Sequence, residues 1–346
     1  MMNEARWGVV IVNYNSARFA LDAALSVLGD HPSAKVVIVD NKSTNNSMDI
    51  LRGAIKTKQH QNQALNNPIS EVSISMADLE DLDAEVIENN HVPAVLPSLM
   101  IVEAGINGGF ATGSNVGLRL LEAAGDCTHY LLLNPDTQMG AGALEAFERA
   151  LDAPDAGLCG ATVLLANDPG KVQAFGGARL NDMTLMGDNL GGGEFLFAAP
   201  LPGEIEKDLH YPLGAAIALR SDYLQQAGYL DERYFLYYEE ADWAFAGKKF
   251  SRCVWAHDAY VFHHYGVSSK SDFAKTGEPS SRSPLADYHM ARSRFLFALK
   301  WRPWLAPIVL MIGFGQAVRR ATRGRFISAL AVLRGILPGA ARTYPS

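Results

Sequence analysis

Short apolar runs alternate with amphipathic stretches through most of the chain. Trp7 to Val12 (WGVVIV) is an unbroken β-branched run, the pattern of a strand buried on both faces. A polar turn, Asn13-Tyr14-Asn15-Ser16, separates it from a helical stretch over Ala17 to Leu28, with Phe19, Ala23, Ala24 and Val27 on one face. Val36 to Val39 repeats the strand pattern, ends at Asp40-Asn41-Lys42-Ser43, and leads to a helix from about Ser47. Strand, helix, strand, helix predicts an α/β fold with a mostly parallel sheet.

From Lys56 to about Pro97 the pattern fails. This stretch is polar and acidic (Asp78, Glu80, Asp81, Asp83, Glu85, Glu88) and reads as an insertion, partly helical at most. Order returns with a strand over Met100 to Ala104, a turn at Asn107-Gly108-Gly109-Phe110, and a helix through Leu121. His129 to Leu133 (HYLLL) is a further buried strand, ending at Asn134-Pro135-Asp136-Thr137 ahead of a helix over Ala143 to Leu151. Gly157 to Leu165 and Lys171 to Leu180 read as strands joined by a turn, and Gly187 to Pro202 as a mobile loop near a site. Leu213 to Leu219 reads as a strand, and Ser221 as the cap of a short helix. Glu239 to Phe250 is helical and Val254 to Phe262 a strand, which closes an α/β unit over 1–284.

The remainder, 285–346, differs. Leu285 to Leu299 is an amphipathic helix, and Trp304 to Val318 is an apolar run flanked by Arg302, Arg319 and Arg320. That run is shorter than the roughly 20 residues needed to span a bilayer. It suits a helix lying in a membrane interface, or one packed on the main domain.

Composition sharpens this division. The chain has 346 residues, 48% of them hydrophobic and 19% charged, which excludes a disordered or collagen-like chain. Cys127, Cys159 and Cys253 are widely spaced, which excludes a disulfide framework or a cysteine-rich zinc module and fits a reducing compartment. Met1 to Trp7 lacks the basic-then-apolar pattern of a secretory leader, so the expected location is cytoplasmic. The net charge of −7 conceals an asymmetry. After Asp287 there is no Asp or Glu, but there are ten basic residues: Arg292, Arg294, Lys300, Arg302, Arg319, Arg320, Arg323, Arg325, Arg334 and Arg342. The rest holds 20 basic against 37 acidic residues, a balance of −17. A basic tail on an acidic body points to an anionic surface. A membrane is expected rather than nucleic acid, because aromatic-interleaved readout motifs are absent.

Candidate chemistry collects where strands end. Asn13, Asp40, Asn107 and Asp136 each follow a buried run, and in an open parallel sheet ligands bind beyond the carboxyl ends of strands. Taken singly, each is equally a turn or cap residue. Asp136 offers a carboxylate to a divalent cation that bridges phosphates. Glu239, Glu240 and Asp242 crowd three carboxylates into four residues, and their repulsion raises one of them toward a useful base. The alternative is a helix N-terminus that favours negative charge. His263 and His264 close the last strand, as a metal ligand or as structural histidines.

In order, six blocks of this chain resemble glycosyltransferase family 2, in its rhamnosyltransferase-like branch. They are VVIVNYNS (Val9 to Ser16), VVIVDNKSTNNS (Val36 to Ser47), NGGFATGSNVGLR (Asn107 to Arg119), YLLLNPDT (Tyr130 to Thr137), DERYFLYYEEADWAFAGKK (Asp231 to Lys249) and VFHHYGVSS (Val261 to Ser269). The resemblance implies a GT-A fold, a nucleotide-diphospho-sugar donor and inverting transfer. It places Asp40 on the pyrimidine base and Asn13 and Asn15 around base and ribose. Asn107, Gly109, Phe110, Asn115 and Asn134 fall on the nucleotide side of the cleft. Asp136 matches the metal-binding aspartate, with His263 as a further ligand to Mg or Mn. Glu240 matches the catalytic base, with Asp242 supporting it or positioning the acceptor. The implied reaction moves rhamnose from dTDP-rhamnose to a glycan or lipid-linked acceptor in cell-envelope polysaccharide synthesis, at the inner face of the cytoplasmic membrane. UDP-galactofuranose, UDP-GlcNAc and UDP-glucose are the alternative donors.

The chain departs from the family pattern where the metal motif reads Asn-Pro-Asp and where the base motif reads Glu-Glu. A dinucleotide-binding oxidoreductase is disfavoured, because Asn13 to Ser16 stand where its glycine fingerprint belongs. A non-catalytic nucleotide-sugar-binding partner is the rival from another class.

Overall fold

The computed structural model describes residues 5–61, 69–73, 96–264 and 283–337. Its main sheet has the order β3-β4-β2-β1-β5-β12-β7-β13-β6, with β8 hairpinned onto β7. The first half is a parallel unit: β1 (Trp7–Asn13), β2 (Lys35–Asp40), β3 (Ile69–Ser73), β4 (Leu99–Glu103) and β5 (His129–Leu133) all run one way. The crossover helices are α1 (Ala17–Asp30), α2 (Ser47–Gln61) and α3 (Gly109–Ala123). β1 is buried along its whole length, which is why its sequence is a run and not an alternation.

The second half mixes directions. A short β6 (Thr137–Met139) and α4 (Ala143–Leu151) lead to β7 (Ala156–Leu165), β8 (Asp168–Phe175) and β9 (Gly177–Leu180). β10 (Gly187–Asn189) and β11 (Tyr211–Pro212) flank β9 in a small second sheet, with α5 (Pro202–Glu206) between them in sequence. β12 (Ala216–Arg220) is antiparallel to both β5 and β7, so its N-terminal end lies at the rim where β5 ends. α6 (Ser221–Ala227) and α7 (Glu239–Gly247) precede β13 (Arg252–His263), which runs parallel to β7. The carboxyl ends of β1, β2, β4, β5, β7 and β13 therefore share one rim, together with the start of β12.

Three corrections to the sequence reading follow. The stretch from Lys56 to about Pro97, expected to be an insertion that is partly helical at most, holds β3, which extends the sheet beyond β4 in parallel register. Its Ile-Ser-Glu-Val-Ser pattern reads as polar because an edge strand has a neighbour on one side only. The other acidic residues of that stretch, Asp78 to Glu88, lie outside the described residues. Lys171 to Leu180 is not one strand: Gly176, at φ 72°, breaks it, and the chain changes sheets there. Ser221 is the first residue of α6 and does not cap it.

The tail packs as three helices: α8 (Pro284–Trp301), α9 (Ala306–Ala321) and α10 (Phe326–Ile336). Much of its basic charge turns inward. Arg320 and Arg325 pair with buried Asp287, Arg292 donates to the Arg233 carbonyl at 2.7 Å, and Lys300 pairs with Asp231 and Asp242. Ser283 caps α8 through its hydroxyl, and Pro284 opens the helix. No helix among the described residues is long and apolar enough to cross a membrane.

Candidate active site

The rim begins at β1 and β2. Asn13 and Asp40 are register partners, and both are buried. Asn13 Nδ2 donates to Asp40 Oδ1 at 2.6 Å, while the Ser43 hydroxyl (2.6 Å) and backbone N–H (2.9 Å) also donate to Asp40. A carboxylate accepts about four hydrogen bonds. Three donors therefore fix the Asp40 carboxylate in place. Asn15 Oδ1 accepts from the Thr44 and Asn45 backbones at 2.8 and 3.2 Å, which ties the two strand-end turns together. Asn15 and Lys42 both have left-handed backbones, at φ 60° and 56°. Asparagine tolerates that region readily; for lysine it is strain held at the site.

The Asn107–Phe110 turn is locked to two neighbours. Asn41 Nδ2 donates to the Gly109 carbonyl at 2.8 Å, and the Phe110 N–H donates to the Phe235 carbonyl at 2.9 Å. Asn107 Oδ1 accepts from the Gly109 N–H at 3.2 Å. Gly109 has φ 81°, and a Cβ there would overlap the Phe235 carbonyl oxygen, so both conformation and space demand glycine. Asn115 is buried in α3. Its amide bridges the Leu230 backbone in both directions (2.9 and 3.0 Å) and reaches Glu232 at 3.0 Å, so it anchors the loop that leads into α7.

At the end of β5, the Asn134 N–H donates to the Ala215 carbonyl at 3.0 Å. Asp136 is buried beside His263, whose Nε2 stands 3.2 Å from Asp136 Oδ1. His263 Nδ1 faces Gln173 Oε1 at 2.8 Å. With Nε2 protonated the two groups form a hydrogen bond or ion pair, and with Nε2 bare they present one imidazole nitrogen beside one carboxylate oxygen. One carboxylate and one imidazole fit Mg or Mn, which keep waters and substrate phosphates as their other ligands. No group of three or more His, Cys, Asp or Glu suited to a metal occurs among the described residues. His264 packs its ring on Phe19, while His263 stands beside Asp136. The rest of that block, Tyr265 to Ser269, lies outside the described residues.

Glu240 opens α7. Tyr237 and Tyr238 precede the helix with φ 68° and 69°, two consecutive left-handed aromatic residues. Backbone strain of this kind persists only where surroundings enforce it. Here the Tyr238 hydroxyl donates to the Leu185 carbonyl at 2.6 Å and its ring packs on Phe297. Glu240 is half-buried, its Oε2 shielded from water with no partner. Burial pushes its carboxyl up to about 7. Glu239, fully enclosed, is raised well above the carboxylate range by burial and by Glu240. Gly214 lies against Glu240: a Cβ there would sit 3.6 Å from Oε1. Gly214 and Ala215 thereby connect Glu240 to the Asn134–Asp136 turn.

Asp242 is engaged elsewhere. Tyr234 and Trp301 donate to its Oδ1 at 3.1 and 2.7 Å, and Lys300 to its Oδ2 at 2.8 Å. Its carboxylate is thereby tied to the tail, which fixes the helix that carries Glu240. Gln173, Tyr234, Lys300 and Trp301 carried no local sequence signal, because each acts on a partner at least eight residues away. The three cysteines are buried and free, their thiols pushed up by burial, to about 11 for Cys127 and about 12 for Cys253. They are inert.

No protein-family model and no curated protein matches this sequence. Solved structures do. GalNAc-T7 with UDP, GalNAc and Mn2+ matches at a TM-score of 0.50 and 12% identity, over 76% of this chain and 44% of its own. TarS 1-349 of S. aureus in complex with UDP gives 0.48 and 14%, over 96% and 81%. A mannosyltransferase from Pyrobaculum calidifontis in complex with GDP-Man and Mn2+ gives 0.48 and 14%, over 96% and 86%. The chain spans less than half the length of GalNAc-T7. At these identities the likeness establishes the fold alone. It is a GT-A α/β fold with a large central sheet and a helical C-terminal region.

Proposed function

We propose that this protein is a metal-dependent inverting glycosyltransferase. The observation that carries the reading is the shared rim. It holds a fixed carboxamide–carboxylate pair at Asn13 and Asp40, a carboxylate–imidazole pair at Asp136 and His263, and a carboxylate poised near neutrality at Glu240. Asp40 and Asn13, with Asn15, Asn107, Gly109, Phe110 and Asn134, would line the nucleotide end. Asn115 would hold that wall from behind. Asp136 and His263 would hold Mg or Mn, which supplies positive charge to the departing diphosphate.

Glu240 takes the proton of an acceptor hydroxyl as that oxygen attacks the anomeric carbon. The bond from that carbon to the diphosphate oxygen breaks, and its electron pair leaves with the diphosphate. A base near pH 7 suits this step, because it is ionised often enough to accept and basic enough to hold the proton.

We read the donor as dTDP-rhamnose, with UDP-galactofuranose, UDP-GlcNAc and UDP-glucose as alternatives. The acceptor would be a glycan or lipid-linked sugar in cell-envelope polysaccharide synthesis, on the cytoplasmic side of the membrane. The six ordered sequence blocks support this reading. The test is turnover across that donor panel with Mg or Mn, for the wild type and Glu240→Gln. Transfer from one donor, abolished in the variant, is expected. No transfer from any donor overturns the proposal, and metal-independent donor binding without transfer or hydrolysis favours a non-catalytic binding partner.

A further inference from the structure

The three-helix tail has an apolar exterior as well as an apolar interior. On α9, Ala306, Val309, Gly313 and Ala317 face inward, at the three-to-four-residue spacing of one helix face. Opposite them, Met311 (66% exposed), Phe314 (61%) and Val318 repeat the same spacing toward solvent, with Trp304 (65%) just before the helix. α10 does likewise: Ala329, Val332 and Ile336 are buried, while Phe326 and Ile327 (69% each), Leu330 and Leu337 are exposed. Both helices pack on α8 and on each other, so these faces are the sides turned away from the catalytic body. A solvated helix carries polar residues there, and a helix apolar all round belongs in a nonaqueous environment.

Charge selects the occupant. The exposed faces carry Arg319, Arg323 and Arg334, with Arg302 over the Trp304 ring at 5.8 Å. No acidic residue follows Asp287 in the sequence, and Asp287 itself is buried under Arg320 and Arg325. A second copy of the same face would bring arginines against arginines. A lipid surface with anionic headgroups takes both features: the rings and aliphatic side chains enter the headgroup–acyl boundary and the guanidinium groups meet the phosphates. At 16 residues, α9 rises about 24 Å, short of a bilayer core, so it would lie in the plane.

We infer that the outer faces of α9 and α10 form a monotopic docking surface for an anionic lipid bilayer, inserted through Trp304, Phe314, Phe326 and Ile327. The inference deepens the membrane placement proposed above and is independent of the sugar chemistry. It divides the tail's arginines into two sets. Arg320 and Arg325 hold the tail together around Asp287, while Arg319, Arg323 and Arg334 read the membrane.

The test is flotation of the full chain, with no donor present, on vesicles of neutral phosphatidylcholine alone or with about a third phosphatidylglycerol. The wild type should float with the anionic vesicles and at least tenfold less with the neutral ones. The triple variant Phe314→Glu, Phe326→Glu, Ile327→Glu should lose at least tenfold in binding, and Arg319→Glu with Arg323→Glu severalfold, with unchanged circular dichroism and Tm. Tryptophan emission from a Trp304-dependent component should shift to the blue on binding and be lost in Trp304→Ala. Failure of the wild type to float, or full binding by the folded triple variant, overturns the inference. So does a concentration-dependent oligomer, abolished by the triple substitution, in a chain that ignores vesicles; a second copy then covers this face. Because no sugar is transferred, failure here leaves the transferase reading standing, and an inactive enzyme that floats leaves this one.

Discussion

Lys300, the penultimate residue of α8, donates to the Asp242 carboxylate at 2.8 Å, on the helix whose first turn carries Glu240. The C-terminal region is therefore part of the site's framework. Trp301 adds a second donor to the same carboxylate at 2.7 Å, and Lys300 also reaches Asp231 at 2.9 Å. Lys300→Met should leave a buried carboxylate short of its cation and lower stability by roughly 1–3 kcal/mol. Thermal denaturation checks the stability. Steady-state kinetics should show kcat falling more than donor KM rises, because Asp40 and Asp136 are untouched.

Glu240 sets a pH dependence in two quantities. With its carboxyl near 7, kcat/KM should rise with pH along an acid limb at about pH 7. Stability runs the other way. The folded state holds this proton up to about pH 7, while the unfolded chain releases it near 4.5, so stability should fall as pH rises from about 4.5 through 7. Glu240→Gln should remove this loss and stabilise the protein at pH 8 by about 1–3 kcal/mol, while lowering turnover by about 10²- to 10⁴-fold. Urea titrations at pH 5 and pH 8, beside a pH–rate profile, read both. A variant no more stable at pH 8 would place Glu240 in water.

The Asp136–His263 pair should bind Mn with an affinity that depends on a residue touching no ligand. Gln173 Oε1 fixes the His263 ring from behind at 2.8 Å. Asp136→Asn should abolish binding in electron paramagnetic titrations with UDP present. Gln173→Ala should weaken it about 10- to 100-fold, as a removed hydrogen-bond partner of a metal-bound histidine does. Equal affinity in the Gln173 variant would show that the ring is held without it.

Gly109→Ala should damage fold and site together. The added methyl overlaps the Phe235 carbonyl and takes a left-handed backbone, for a cost of roughly 2–4 kcal/mol. The loop that leads to Tyr237 and Glu240 must move to relieve it. A lower Tm accompanied by weaker UDP binding in calorimetry is the expected pair of results.

The sequence by itself determined four of the five strands of the parallel half and the polar residues at their ends. Buried strands with both faces covered must be apolar runs, so β1, β2, β4 and β5 announce themselves, and the polar residue that ends each run marks where the chain leaves the sheet. Asn13, Asp40 and Asp136 were legible for that reason. Glu240 was legible as a member of a carboxylate cluster, though not as its half-buried one. Tertiary structure alone decided the rest. β3 was hidden because an edge strand need not be apolar. Asp242 became a tail anchor because Tyr234, Lys300 and Trp301 converge on it from two separate segments. The positive tail was divided by packing: Arg292, Lys300, Arg320 and Arg325 found partners inside the fold, while Arg319, Arg323 and Arg334 remained outside. A charge count cannot make that division, because whether an arginine meets an aspartate or water depends on which helix face its neighbours leave open.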